Sequence, residues 1–316
     1  TASERTRMIQ VEGLTKRFGQ KLAVDRLSFT IEPGHVTGFL GPNGAGKSTT
    51  MRLIMGLDRP TAGRTTVDGK PFTVCGAPLR QVGALLDAKA ANPNRSGRAH
   101  LQQLAATHGI GRQRVDQVIG MTGLGSVIGK RIKTYSLGMN QRLGIAAALL
   151  GDPANVILDE PVNGLDPEGV AWVRTLAKSL AAEGRTVFIS SHLMAEMALT
   201  ADRLIVVGRG RLIADSSVAD LVAASSGVAA RVRSPHAGQI AAALASPDVT
   251  VTAEGPDTIM VRGLSVEAIG QAAARHGWIL YELTPVTASL EEAYMKLTDT
   301  AVEYRSAAPI PEEAIR

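Results

Sequence analysis

A single cysteine, Cys75, in 316 residues excludes an intrachain disulfide, so a reducing, intracellular setting is expected. No stretch reads as a cleavable signal. Apolar segments such as Leu143 to Leu150 and Leu204 to Val207 stop far short of the about 20 residues that a membrane-crossing helix needs. Aromatic side chains are 3% of the chain. That is little material for a base-stacking surface and counts against nucleic acid as a partner. Sustained heptads are missing as well, which excludes long coiled coils.

What remains is near the globular average, 45% hydrophobic and 20% charged. A chain of this length suggests roughly two domains. It can bury about three-quarters of its unfolded surface, so a core needs no staples. The net charge of +5 is unevenly spread: residues 1–227 hold 27 Lys and Arg against 18 Asp and Glu, and residues 228–316 hold 7 against 11. Two domains with different surfaces explain the split, and a basic first part suits nucleic acid, membrane headgroups or nucleotide alike.

In the first part, Met8–Val11, Leu27–Ile31 and Val36–Leu40 read as short strands bounded by Gly13, Gly34 and Gly41, and Lys47–Gly56 as a helix. Helical spacing dominates from about residue 97 to 150. Buried-type strands then return at Val156–Leu158 and Thr186–Ser190, separated by a helix from Pro167 to Glu183, the rhythm of a parallel sheet covered by helices. The expected first domain, residues 1–227, is therefore an α/β core with a helical insertion at about 88–150.

Beyond the Ala- and Ser-rich stretch at 223–227, strands are expected at Val228–Arg233, Val249–Ala253, Thr258–Val261 and Ile279–Leu283, and helices at Gly238–Ala245 and Val266–His276. This βαββαβ order predicts a small α+β, ferredoxin-like domain over 228–298. Its last helix starts at Ser289, with Glu292 placed to complete a capping box. Residues 299–316, with Pro309 and Pro311, read as a tail.

Gly41 to Ser48 reads GPNGAGKS, matching G-x-x-x-x-G-K-[ST] between an expected strand and an expected helix. Glycines let backbone N–H groups close around phosphate oxygens, and the helix N-terminus adds favourable potential. Lys47 then contacts the β- and γ-phosphates and Ser48 ligands Mg²⁺. Val156 to Pro161 reads VILDEP, an apolar strand that presents Asp159 and Glu160 at its carboxyl end, as a metal-side acid and a water-activating acid would be presented.

With these two motifs on the chain, residues 8–220 resemble the ATP-binding cassette (ABC) family. YSLGMNQR at Tyr135–Arg142 resembles its signature sequence, NGLDP at Asn163–Pro167 its D-loop, and ISSH at Ile189–His192 its switch histidine, all in the family's order. The resemblance implies a P-loop NTPase of ABC type in which two cassettes pack head to tail, with ATP and Mg²⁺ held between them. Gly41, Pro42, Asn43, Gly44, Ala45, Gly46, Lys47, Ser48 and Thr49 then bind one nucleotide, while Ser136 and Gly138, and Asp166 of the D-loop, serve the composite site. Asp159 holds the metal, Glu160 polarises the attacking water and His192 meets the γ-phosphate. Phe18 falls where the family places an aromatic against adenine, the alternative being an ordinary core side chain.

Two motifs depart from the family pattern. Leu137 and Met139 replace a glycine and a glutamine of the signature, and Asp87, in VGALLD, stands where the Q-loop has glutamine, as a candidate metal or coupling residue. The signature type, Asp87 and the closing SLEEAYMKL are similar to ATPases of bacterial drug and antibiotic exporters of the daunorubicin and bacitracin resistance type. The expectation is an ATPase at the cytoplasmic face of the membrane, a homodimer under a separate permease. The alternatives are an importer ATPase with a ligand-sensing C-terminal domain, and a non-transport ABC ATPase.

Overall fold

The computed structural model describes residues 8–225, 228–286 and 289–298. They divide into two compact units, with the division between Ser217 and Val218. That lies ten residues before the expected 227, because residues 218–225, which run into the Ala- and Ser-rich stretch, are helical and group with the second unit. The expected tail falls outside the described residues.

In chain order the first unit contains β1 (Ile9–Phe18), β2 (Lys21–Ile31), β3 (Val36–Leu40), α1 (Lys47–Ile54), β4 (Ala62–Val67), α2 (Pro78–Gln81), β5 (Val82–Leu85), α3 (Gly97–Thr107), α4 (Arg112–Met121), α5 (Leu137–Leu149), β6 (Asn155–Leu158), α6 (Pro167–Ala182), β7 (Thr186–Ser191), α7 (Met194–Thr200), β8 (Arg203–Gly208) and β9 (Arg211–Ser217). Two sheets organise it. One is antiparallel in the order β2-β1-β4, and the other runs β5-β6-β7-β3-β8-β9, parallel except for β9 at its edge. The first strand is longer than expected. Gly13 lies inside it at φ 55°, where the pairing with β2 shifts register between Val11 and Leu14, so this glycine forms a bulge rather than an end.

The two sheets share one core. Ile9, Leu27 and Ile31 from the antiparallel sheet meet Ile157, Phe188 and Ile205 from the parallel one, with Met51 and Ile54 of α1 packed among them. Phe29, Phe39 and Phe188 form a tilted cluster with ring centroids 5.1 to 6.1 Å apart. All four residues of β6 and all six of β7 are buried, as expected of parallel strands covered on both faces. Helices α3 to α5 are inserted between β5 and β6, which are neighbours in the sheet.

The second unit contains α8 (Val218–Ser225), β10 (Ala229–Arg233), α9 (Ala237–Leu244), β11 (Thr250–Ala253), β12 (Thr258–Arg262), α10 (Val266–His276), β13 (Glu282–Pro285) and α11 (Leu290–Thr298). Its four strands form an antiparallel sheet in the order β11-β12-β10-β13 over a core of Ala230, Val232, Ile240, Ile259, Val261 and Ile269. The last strand sits three residues later than expected. Pairing of Ala230 with Pro285 and of Arg233 with Glu282 sets it, and leaves Ile279 exposed before the strand. At Ser289 the capping box is present: its Oγ accepts from the Glu292 N–H, and its own N–H donates to Glu292 Oε2, both at 3.1 Å.

Candidate functional site

Between β3 and α1 the chain turns through Gly41–Gly46. Gly44 (φ 81°) and Gly46 (φ 100°) have left-handed backbones that side chains rarely adopt. Space is limited too: a Cβ on Gly46 would lie 2.6 Å from the Ala23 carbonyl oxygen, and one on Gly41 would collide with the Val207 carbonyl oxygen. The loop is thus wedged between β2 and β8. Ala45 turns into the core, and its carbonyl accepts from the Gly210 N–H at 3.1 Å.

The segment from Pro42 to Thr49, apart from Ala45, lines a cleft of about 310 Å³ together with Phe18, Lys21, Ala23 and Glu160. Phe18 is 49% exposed, which removes the core reading of that residue. Lys16 Nζ lies 4.8 Å from its ring centroid. Lys21 was not singled out by the sequence, because a lone surface lysine carries no motif.

Lys47, the first residue of α1, is 6% exposed. Its Nζ donates to the carbonyls of Gly41 (2.7 Å) and Pro42 (3.4 Å) and lies 3.6 Å from Glu160 Oε1. Burial pulls its ammonium below the ordinary lysine range, and the carboxylates of Glu160 and Asp159 partly offset that pull. The positive charge of the cleft is therefore held between a buried stem and two acids.

Those acids emerge where β6 ends. Leu158 pairs with Ile189 in the adjacent parallel strand, so the next residues, Asp159 and Ser190, stand side by side. The fully buried Ser190 donates its hydroxyl to Asp159 Oδ1 and accepts the Glu160 N–H at 2.9 Å. Glu160 has φ 49°, a sparsely occupied region for a non-glycine residue that costs about 1–3 kcal/mol and persists only where neighbours enforce it. Its carbonyl accepts from Gln141 Nε2 at 2.8 Å, and His192 Nδ1 lies 2.8 Å from its Oε2. One carboxylate thus faces Lys47 through Oε1 and His192 through Oε2. Neither Ser190 nor Gln141 was assigned a role from sequence. The only signals were the serine run of ISSH and the glutamine-rich start of the helix after the signature.

The remaining expected residues lie elsewhere. Ser136 caps α5, its Oγ accepting from the Met139 N–H at 3.2 Å, while Met139 Sδ takes the Ser136 N–H at 3.5 Å in the place of a capping-box glutamine. A Cβ on Gly138 would stand 3.1 Å from the Gly164 carbonyl oxygen, so the start of α5 and the 160–165 loop are in close contact. Asp166 caps α6 through the Gly169 N–H at 2.9 Å. None of these three lines the Lys47 cleft. Asp87 accepts the Lys89 N–H at 2.8 Å and lines a second cleft of about 470 Å³ with Arg52, Met55, His100, Leu104 and Leu143. The structure therefore gathers Ser48, Lys47, Glu160 and Phe18 around one cleft and places Asp87 in another.

This arrangement binds and positions a polyphosphate: a glycine loop at a helix start, a buried lysine, and two acids at the carboxyl end of a parallel sheet. Comparisons with known proteins agree. A family model described as ABC transporter matches residues 24–163, and a domain of unknown function matches 228–291. The ABC transporter ATP-binding protein YhcH of Bacillus subtilis (strain 168) is 35% identical over 94% of this chain and 97% of its own. The daunorubicin resistance ATP-binding protein DrrA3 of Streptomyces coeruleorubidus is 35% identical over 93% of this chain and 91% of its own. Among solved structures, an ATP-binding subunit of an ABC transporter superposes with a TM-score of 0.62 at 24% identity, covering 69% of this chain and 92% of the other. The chain belongs to the ABC transporter ATP-binding proteins.

Proposed function

We propose that the chain is the Mg²⁺-dependent motor of an exporter that expels a hydrophobic drug or antibiotic through a separate membrane permease. The observation that carries the reading is the carboxylate of Glu160, which lines the cleft with Lys47 and stands between Lys47 at one oxygen and His192 at the other. Glu160 takes the proton of the attacking water as its oxygen adds to the γ-phosphorus. The bond to the ADP oxygen then breaks, while Lys47 and His192 balance the charge on the phosphoryl oxygens.

The donors present suit a hard cation: the Ser48 hydroxyl beside Lys47, and an Asp159 carboxylate oriented by Ser190. Mg²⁺ held there would neutralise the phosphate charge. Ser136, Gly138 and Asp166 lie away from this cleft, which supports their service to the nucleotide of a second cassette packed head to tail. The two copies would form a homodimer. The cleft containing Asp87 is the proposed seat of the permease, and on this reading the chain sits peripherally at the cytoplasmic membrane face. Among the described residues no helix is long and apolar enough to cross a membrane.

We take the first unit, up to Ser217, as the cassette, with its helical subdomain at about 88–150, and the unit that starts at Val218 as the accessory domain. For the accessory domain the ferredoxin-like reading is supported by its βαββαβ order and its sheet order. The drug-export reading leans on the daunorubicin resistance relative, which is similar along nearly its whole length. Reconstituting the chain with its permease in vesicles tests it. ATP-dependent extrusion of a hydrophobic drug is expected, and ATP-dependent uptake of a polar solute with no drug movement would overturn it.

A further inference from the structure

We propose that Gln141 is a positioning residue for Glu160, through which helix α5 sets the aim of the water-activating carboxylate in its own chain. The proposal rests on the ATPase reading and on the role given there to Glu160. Gln141 is 4% exposed, one turn along α5 from the Ser136 cap. Its Nε2 donates to the Glu160 carbonyl at 2.8 Å, across 19 positions of sequence. The opposite amide orientation would set two oxygens against each other, so only the donor orientation satisfies the pair.

Its Oε1 is buried and meets no donor among the described residues. An amide with its acceptor unused is a poor choice for packing alone, because an apolar side chain of the same shape would fill the space without that penalty. The donor is the part that accounts for the residue. At the receiving end the Glu160 backbone is clamped on both sides. Ser190 Oγ takes its N–H, and its carbonyl takes Gln141 Nε2 together with the Asn163 N–H at 3.2 Å. Of the two donors to that carbonyl, the amide of Gln141 alone comes from outside the 160–165 loop. With φ at 49°, release of that side lets the peptide turn toward an ordinary conformation and carries the carboxylate away from Lys47 and His192.

The same helix touches the same loop a second time. Gly138 packs on Gly164 and Leu165, and the Leu137 side chain fills the place where a Cβ on Gly164 (φ 74°) would stand. Helix α5 and the loop from Glu160 to Leu165 are thus in register at two levels.

The test is a kinetic cycle on the full chain with Gln141→Met, which keeps the volume and removes the donor, Gln141→Glu, which keeps the shape and removes it, Glu160→Gln, and the double variant Glu160→Gln/Gln141→Met. Gln141→Met should lower kcat about 10- to 100-fold, the scale of a small misplacement of a reacting group. Its KM for ATP should stay within about twofold and its melting temperature should not fall, and Gln141→Glu should lose at least as much activity. In single-turnover assays the double variant should hydrolyse ATP at the rate of Glu160→Gln alone, because Gln141 acts through Glu160. Losses that multiply, or a Gln141→Met variant with wild-type kcat, would overturn the proposal. Normal hydrolysis by Glu160→Gln would instead overturn the role of Glu160 itself.

Discussion

His192 Nδ1 sits 2.8 Å from Glu160 Oε2 and ties the end of β7 to the end of β6 across the carboxyl edge of the parallel sheet. The contact fixes one oxygen of the carboxylate while Lys47 stands 3.6 Å from the other. His192→Ala frees that oxygen without touching the phosphate loop. Its kcat should fall about 10- to 100-fold, with nucleotide affinity within a few-fold of wild type by equilibrium titration.

Ser190 serves Asp159 and Glu160 from a fully buried position, so its hydroxyl has no solvent substitute. Ser190→Ala leaves a buried backbone N–H without its acceptor, at a cost of about 1–3 kcal/mol. Thermal unfolding should show a loss of about 2–4 °C for each kcal/mol, and the hydrolysis rate should fall with it.

Gly44 and Gly46 separate backbone strain from collision. Both have positive φ, but a Cβ on Gly44 meets nothing within 4 Å, whereas one on Gly46 meets the Ala23 carbonyl oxygen at 2.6 Å. Gly44→Ala should cost about 1 kcal/mol of stability, the usual scale for a side chain forced into a left-handed backbone. Gly46→Ala must move the loop or β2, so nucleotide binding should be lost in titration and unfolding should occur at a clearly lower temperature than for Gly44→Ala.

Phe188 packs against both Phe29 and Phe39 where the two sheets meet. Phe188→Ala should destabilise the first unit by about 3–5 kcal/mol, measured by chemical unfolding. The same strand leads to Ser190 and His192, so ATP hydrolysis should fall as well.

The phosphate loop was legible because its glycines answer to sterics that any strand-loop-helix turn of this kind imposes, and Gly46 against Ala23 shows the constraint directly. The acids were legible because four buried residues precede them in β6. No local pattern in the sequence marks strand β4. Its AGRTTV is polar and half exposed, and its place is set by pairing with β1, as Ile9 with Val67, which no local pattern reports. Strand β13 was placed three residues early, because the apolar Ile279 looked like strand while pairing with β10 chose Glu282–Pro285. The roles of Ser190 and Gln141 were hidden for the same reason. One follows from strand register and the other from a contact between a helix and a loop 19 residues away.

ATP hydrolysis in this cleft, with Glu160 as the group that activates water, is checked by comparing steady-state phosphate release from the wild-type chain and from Glu160→Gln, alongside ATP binding by both. The variant should bind ATP as the wild type does and release phosphate at least about 100-fold more slowly. Phosphate release from the variant at the wild-type rate would contradict it.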